Sequence, residues 1–227
     1  IDAAHKLAIL SSIAFGTQVD FDGIEIEGIQ RVTLEDIGHA SDLGYRIKLL
    51  GVAQRTGRGL EQRMMPCLVP GASALAALEG GTNMVVIEGD AVEQVVLRGP
   101  GAGEGPTASA VMGDICDIAR GLVVPVFGQP ATTLQAVPAA RAVLPAPYYL
   151  RMGLTDKPGA LAKVASVLGE AGVSIDRMRQ REHDGDVATV IIVTHKTSRA
   201  SLDAALTAMD GTDVVQDAPV VLRIEAL

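Results

Sequence analysis

The sequence predicts an α+β chain: a mostly antiparallel mixed sheet with helices on one face, followed by a smaller unit whose elements run βαββαβ. Three observations carry this reading. From Tyr45 to Arg98 the residues follow the two-residue period of strands, broken by glycine-containing turns. On both sides of that region small and apolar residues recur at helical spacing. A proline-rich stretch, 121–147, then separates it from a C-terminal segment in which strand and helix patterns alternate more tightly.

In chain order, residues 1–15 (IDAAHKLAILSSIAF) place Ala4, Leu7, Ala8, Ser11 and Ser12 at helical spacing, with small and apolar side chains nearly all round. A buried helix is expected, ending at Gly16. A second short helix follows Thr33, which with Asp36 forms a capping-box variant, and stops near Gly44. Residues 45–54, 61–70, 82–88 and 92–98 read as four strands with short turns, which implies one largely antiparallel sheet. After the glycine-rich 99–105, Pro106 opens another helix to about Arg120. Residues 121–147 hold five prolines and little periodicity, so the expected division is 1–120, a linker at 121–147, and 148–227.

The last segment reads as a strand at 148–154, a helix at 158–171 with Leu161, Val164, Ala165 and Leu168 on one face, and a strand at 173–181. A turn at 183–186 around Gly185, a strand at 187–195, a helix at 198–209 with Leu202, Ala205, Leu206 and Met209 inward, and a closing strand at 214–224 complete it. This is the split-βαβ order.

Composition excludes several functions. With 48% hydrophobic residues the chain has material for a real core. Nineteen Lys plus Arg stand against 27 Asp plus Glu, net charge -8, and the basic residues are scattered, so nucleic acid is not an expected partner. Apolar runs such as 121–127 fall far short of the roughly 20 residues of a membrane span. Cys67 and Cys116, in apolar surroundings without a CxxC partner, read as two buried free thiols of a cytoplasmic protein. His39, His183 and His195 show no ligand spacing, so no metal is expected, and Met64 with Met65 reads as core filling. The chain opens Ile-Asp-Ala without an initiator Met and reads as a partial chain.

Asp2 and Lys6 stand at i, i+4 on the first helix and share a face. Such a pair is ordinarily a solvated surface ion pair. Here the apolar neighbours argue for burial, and a buried ammonium and carboxylate are costly unless a site uses them. Asp2-Ala-Ala-His-Lys6 resembles the end of the homoserine dehydrogenase signature, D-x-x-x-K. Asp36-Ile37, Ala40, Leu43-Gly-Tyr-Arg-Ile-Lys-Leu-Leu-Gly51, Gly99-Pro-Gly-Ala-Gly103 and Pro106-Thr-Ala-Ser-Ala-Val111 continue that family's pattern in order. The resemblance implies a substrate domain without the nucleotide-binding domain. In it Lys6 is the proton-transfer residue and Asp2 organises the substrate site for interconverting aspartate semialdehyde and homoserine with NAD or NADP, on the route to threonine, methionine and isoleucine. Hydride delivery to the aldehyde carbon develops an alkoxide, which a lysine within reach stabilises and protonates. In reverse the same lysine, tuned by burial, accepts the homoserine hydroxyl proton. His5, about 100° round the helix, is a packing or supporting residue.

The glycine-rich 99–105 fails the dinucleotide fingerprint G-x-G-x-x-G, since position 104 is Glu, and reads as a structural turn. The resemblance implies that this loop and the next helix fold toward the cofactor, with Gly101, Ala102, Gly103 and Thr107 facing it. Further on, Thr155-Asp-Lys-Pro-Gly-Ala160 resembles the D-x-P-G-A-L signature of ACT domains, and Gly172-Val-Ser-Ile175 the entry to their second strand. Pro158 is expected to start a helix, Gly159 to admit a ligand, and the helix amides to suit an amino-acid carboxylate. The implied effector residues are Asp156, Gly159, Ala160, Ser174 and Ile175, the effector threonine or another aspartate-family amino acid, and the assembly a homodimer or homotetramer. The alternative is that the loop is a plain strand-to-helix turn in a module used for assembly.

Overall fold

The computed structural model describes residues 1–141, 144–180 and 185–225. Its elements are α1 (Asp2–Phe15), β1 (Glu25–Ile26), α2 (Leu34–Asp42), β2 (Tyr45–Thr56), β3 (Gly59–Pro70), β4 (Thr82–Gly89), β5 (Glu93–Pro100), α3 (Glu104–Ala119), β6 (Ala139–Ala140), β7 (Tyr148–Thr155), α4 (Ala160–Glu170), β8 (Ile175–Gln180), β9 (Val187–Thr194), α5 (Arg199–Asp210) and β10 (Val220–Ile224). The α+β reading and the βαββαβ order hold. The turn expected at 183–186 and His183 fall largely outside the described residues.

α1 ends where Gly16 takes the left-handed φ of 64° and its N–H bonds to the Ser12 carbonyl. It buries the five residues expected, Ala4, Leu7, Ala8, Ser11 and Ser12, but Ile9, Leu10 and Ile13 on its other side are 44–46% exposed. The helix is therefore one-sided, not buried all round. α2 begins with a complete capping box: Asp36 N–H donates to Thr33 Oγ1 (3.2 Å) and Thr33 N–H to Asp36 Oδ2 (3.0 Å). Leu43 and Gly44 alone join α2 to β2, with Gly44 at φ 83°.

The four strands expected to form one sheet form two separate hairpins. β2 and β3 pair antiparallel over their full length, from Tyr45 with Pro70 to Thr56 with Gly59. β4 and β5 make a two-stranded sheet of their own. The reason lies on the far edge of β3, which three short parallel strands occupy in turn: β6 at Leu60 and Glu61, β1 at Arg63 and Met64, β10 at Cys67 and Leu68. No edge of β3 is left for β4. Through β10 the sheet continues as β1-β3-β10-β7-β9-β8, so one sheet crosses the boundary expected at 121–147. That stretch is more than a linker: Gln135 pairs with Thr17, β6 lies on β3, and Leu134 and Ala140 are buried.

Strand alternation gives β7 two buried faces. Tyr148, Leu150, Met152 and Leu154 enter a core with Val164 and Leu168 of α4 and Leu202, Ala205 and Met209 of α5. Tyr149 points the other way, into a second core with Ala40 of α2, Leu68 of β3, and Ile191, Val193, Leu222 and Ile224. Ala165, expected inward, is exposed, and Val167 packs in its place. α3 buries none of its residues. Cys116 on it is accordingly exposed, against the expectation of two buried thiols, while Cys67 is buried.

Candidate functional site

The Asp2 and Lys6 side chains meet as their spacing requires: Lys6 Nζ donates to Asp2 Oδ2 at 2.7 Å. The hydrogen bond from Lys6, then its charge, lowers the Asp2 pKa. Burial, however, is not observed. The Lys6 and Asp2 side chains are 66% and 85% exposed, because they sit on the flank of α1 whereas Ala4, Leu7 and Ala8 face Met64 and Ile24. His5 stacks edge-on against Phe21 at 4.3 Å, a packing role. The result is an accessible ammonium group on a helix whose inner face is anchored.

Gly101, Ala102, Gly103 and Thr107 lie between the end of β5 and the first turn of α3, all exposed. Gly103 is the N-cap at φ 124°, and Thr107 N–H bonds to its carbonyl. At Gly101 a β-carbon would overlap the Asn83 amide group.

The effector residues separate into two groups. Asp156, Gly159 and Ala160 follow β7, at the Val187 end of β9, because Thr155 pairs with Val187. Ser174 and Ile175 stand at the other end, where Ile175 pairs with Thr194. The length of β9, roughly 24 Å at ~3.4 Å per residue, lies between them, so one chain does not bring all five together. Pro158 precedes the helix instead of starting it. Gly159 is the N-cap, at the left-handed φ of 89°, with open space where a side chain would project.

Two buried ionic groups had no counterpart among the sequence-derived candidates. Asp36, fully buried, accepts from Tyr149 OH (3.1 Å) and from Arg151 Nε (2.5 Å) and Nη2 (3.1 Å). Arg63 of β3 contacts Glu61 and also Glu225 (2.6 Å), to which Arg223 Nε donates at 2.7 Å. The available signals were Glu61, Gln62 and Arg63 interrupting an apolar strand, and Arg151 within the apolar β7.

Residues 1–116 match the family model of homoserine dehydrogenase. The chain belongs to the homoserine dehydrogenase family. Residues 148–211 match the ACT domain model. The homoserine dehydrogenase of Neisseria gonorrhoeae is 40% identical over 235 residues, covering 100% of this chain and 54% of that protein; the Bacillus subtilis enzyme is 34% identical over 230, covering 99% and 53%. A crystal structure of a homoserine dehydrogenase from Thiobacillus denitrificans superposes with a TM-score of 0.89 at 38% identity, covering 99% of this chain and 53% of that one. The chain thus spans about half the length of these relatives.

Homoserine dehydrogenases use NAD or NADP in general. The 99–107 stretch does not by itself fit such a cofactor's phosphates. Pro106 has no N–H to offer, Glu104 places a carboxylate in the first turn of α3, and no cationic side chain lies in the stretch.

Proposed function

We propose that this chain is the substrate-facing and regulatory portion of an oxidoreductase interconverting L-aspartate 4-semialdehyde and L-homoserine, in threonine, methionine and isoleucine biosynthesis. The observation that carries it is the Lys6–Asp2 pair, 2.7 Å apart on an accessible helix flank. An ammonium group has three N–H donors. Asp2 takes one and fixes the direction of Nζ, leaving two for a substrate oxygen. As the aldehyde oxygen gains negative charge, the Lys6 ammonium stabilises it and supplies the proton, leaving a neutral amine; in the other direction that neutral amine takes the hydroxyl proton. The nicotinamide cofactor, NAD or NADP, supplies or accepts the hydride, and its binding lies mainly outside this chain's residues. Replacing Lys6 by Ala in an intact enzyme containing this chain lowers kcat by about 10²–10⁴-fold; an unchanged kcat removes Lys6 from the chemistry. The isolated 227-residue chain is expected to show no turnover with aspartate semialdehyde and NADPH, and measurable turnover overturns the placement of the cofactor site mainly outside it.

The ACT portion supports a second, compatible reading: sensing of threonine or another aspartate-family amino acid, together with assembly as a homodimer or homotetramer in the cytoplasm. Gly159 and the open space around it favour this reading, as does, for assembly, the edge of β8, which has no strand partner on one side among the described residues. Titrating the chain with L-threonine by calorimetry tests it. Selective binding that is lost in Gly159→Val places the ligand at the 156–160 loop; no heat at millimolar concentration leaves the ACT portion as an assembly module.

A further inference from the structure

Asp36 is a carboxylate with more donors than lone pairs. Oδ1 receives Tyr149 OH and Arg151 Nε; Oδ2 receives Thr33 N–H (3.0 Å), Thr33 Oγ1 (2.8 Å) and Arg151 Nη2 (3.1 Å). Two of these five donors belong to Thr33 at its own helix start and three to Tyr149 and Arg151 of β7, 113 and 115 residues away. Glu35 adds a weaker contact, 3.9 Å from Arg151 Nη1, and also accepts from His39 Nε2 at 3.1 Å. A fork of guanidinium N–H groups on a buried carboxylate resists sliding, because each small displacement breaks one bond of the pair.

The position of this cluster gives it reach in both directions. Tyr149 and Arg151 are two residues apart and share the face of β7 turned toward α2, while the alternate residues hold α4 and α5. β7 runs directly into the 156–159 loop, which is tied down by Asp156 N–H on the Asp186 carbonyl. In the opposite direction α2 passes through two residues into β2, and the β2–β3 hairpin carries α1: Leu7 lies against Gly51 and Met64. We propose that Asp36 is the coupling residue between the two portions of the chain, through which α2 and the C-terminal sheet open and close as one unit. Its regulatory use, passing a change at the 156–159 loop to the hairpin under the Lys6 helix, rests on the effector reading above; the coupling itself does not.

Amide hydrogen exchange on the 227-residue chain tests this. Thr33→Ala removes the capping hydroxyl and leaves Arg151 and Tyr149 on Asp36; it speeds exchange in the first turn of α2 only. Asp36→Asn and Arg151→Met both speed exchange in α2 and in β7 together, by about tenfold or more, and leave α5 unchanged. If Asp36→Asn loosens α2 alone, as Thr33→Ala does, or Arg151→Met leaves α2 untouched, Asp36 is merely a helix cap and the proposal falls. Should Asp36→Asn fail to fold, Arg151→Met and the milder Tyr149→Phe carry the same comparison. The regulatory use is read separately, with L-threonine as the probe. Absence of heat in calorimetry removes the effector reading, while the ligand-free exchange still decides the coupling. Heat accompanied by altered α2 exchange in the wild-type chain, absent in Arg151→Met, supports both.

Discussion

Asp36 and Arg151 set the strongest single-residue expectation. Burial acts to raise the Asp36 pKa, but the hydrogen bonds from Arg151 and Thr33 outweigh it and hold the carboxyl below 3.8. A carboxylate lowered on folding stabilises the fold above its unfolded pKa and loses that contribution as pH falls through the folded value. The stability difference between the wild-type chain and Asp36→Asn is therefore constant from pH 7 to 5 and shrinks below about 4, read from urea midpoints at each pH. Arg151→Met, which strands a buried charge, costs about 3–5 kcal/mol at pH 7; a loss under 1 kcal/mol would show that Thr33 and Tyr149 suffice. The thiols differ as sharply. Burial first, then Glu225, pushes Cys67 up to about 12, and Cys116 is exposed. A thiol reagent modifies Cys116 in the native chain and Cys67 only after unfolding. The capping half of the Asp36 site was legible in the sequence, because Thr33 and Asp36 are three apart. Its other half was not, since nothing local ties a helix start to a strand more than a hundred residues on.

Elements with sustained periodicity were legible, and elements held only by their partners were not. β2 and β3 announce themselves over twelve residues each, and the five inward residues of α1 follow from spacing. β1 and β6 have two residues apiece, too few for any period, yet they fill the edge of β3 and so displace β4 and β5. The exposure of Lys6 was missed for a related reason: apolar Ile9, Leu10 and Ile13 suggested burial all round, but nothing within the described residues covers that side. Two glycines test how tightly these elements are held. Gly59 opens β3 at φ 136°, and a β-carbon there would lie 2.0 Å from the Pro138 carbonyl oxygen. Gly59→Ala therefore costs about 1–3 kcal/mol. Gly38, inside α2 with nothing within 4 Å of the added carbon, behaves oppositely, and Gly38→Ala gains about 0.4–1 kcal/mol. Denaturation midpoints of the two variants on opposite sides of the wild type are the expected result.

At the scale of the molecule the two matched family segments, 1–116 and 148–211, share more than a linker. β3 and β10 are neighbours in one sheet, and a single core draws Ala40 and Leu68 from the first segment and Tyr149, Ile191 and Val193 from the second, with Leu222 and Ile224 of β10. Cutting the chain before Tyr148 would bare Leu68 and Ala40, now 0% and 1% exposed, and leave Asp36 without Tyr149 and Arg151. Burial of a Leu-sized side chain is worth about 1.5–3 kcal/mol, and a stranded buried carboxylate costs more still, against a total stability of only about 5–15 kcal/mol for a typical protein. Neither portion is therefore expected to retain its present structure alone, and the chain is expected to unfold as one cooperative unit. Calorimetry should give one transition whose van't Hoff and calorimetric enthalpies agree, with circular dichroism and tyrosine fluorescence following the same curve. Two resolved transitions, or a 1–147 chain with native exchange protection in α2, would show that the shared sheet is a contact between independent domains and would take from Asp36 the structural basis for coupling them.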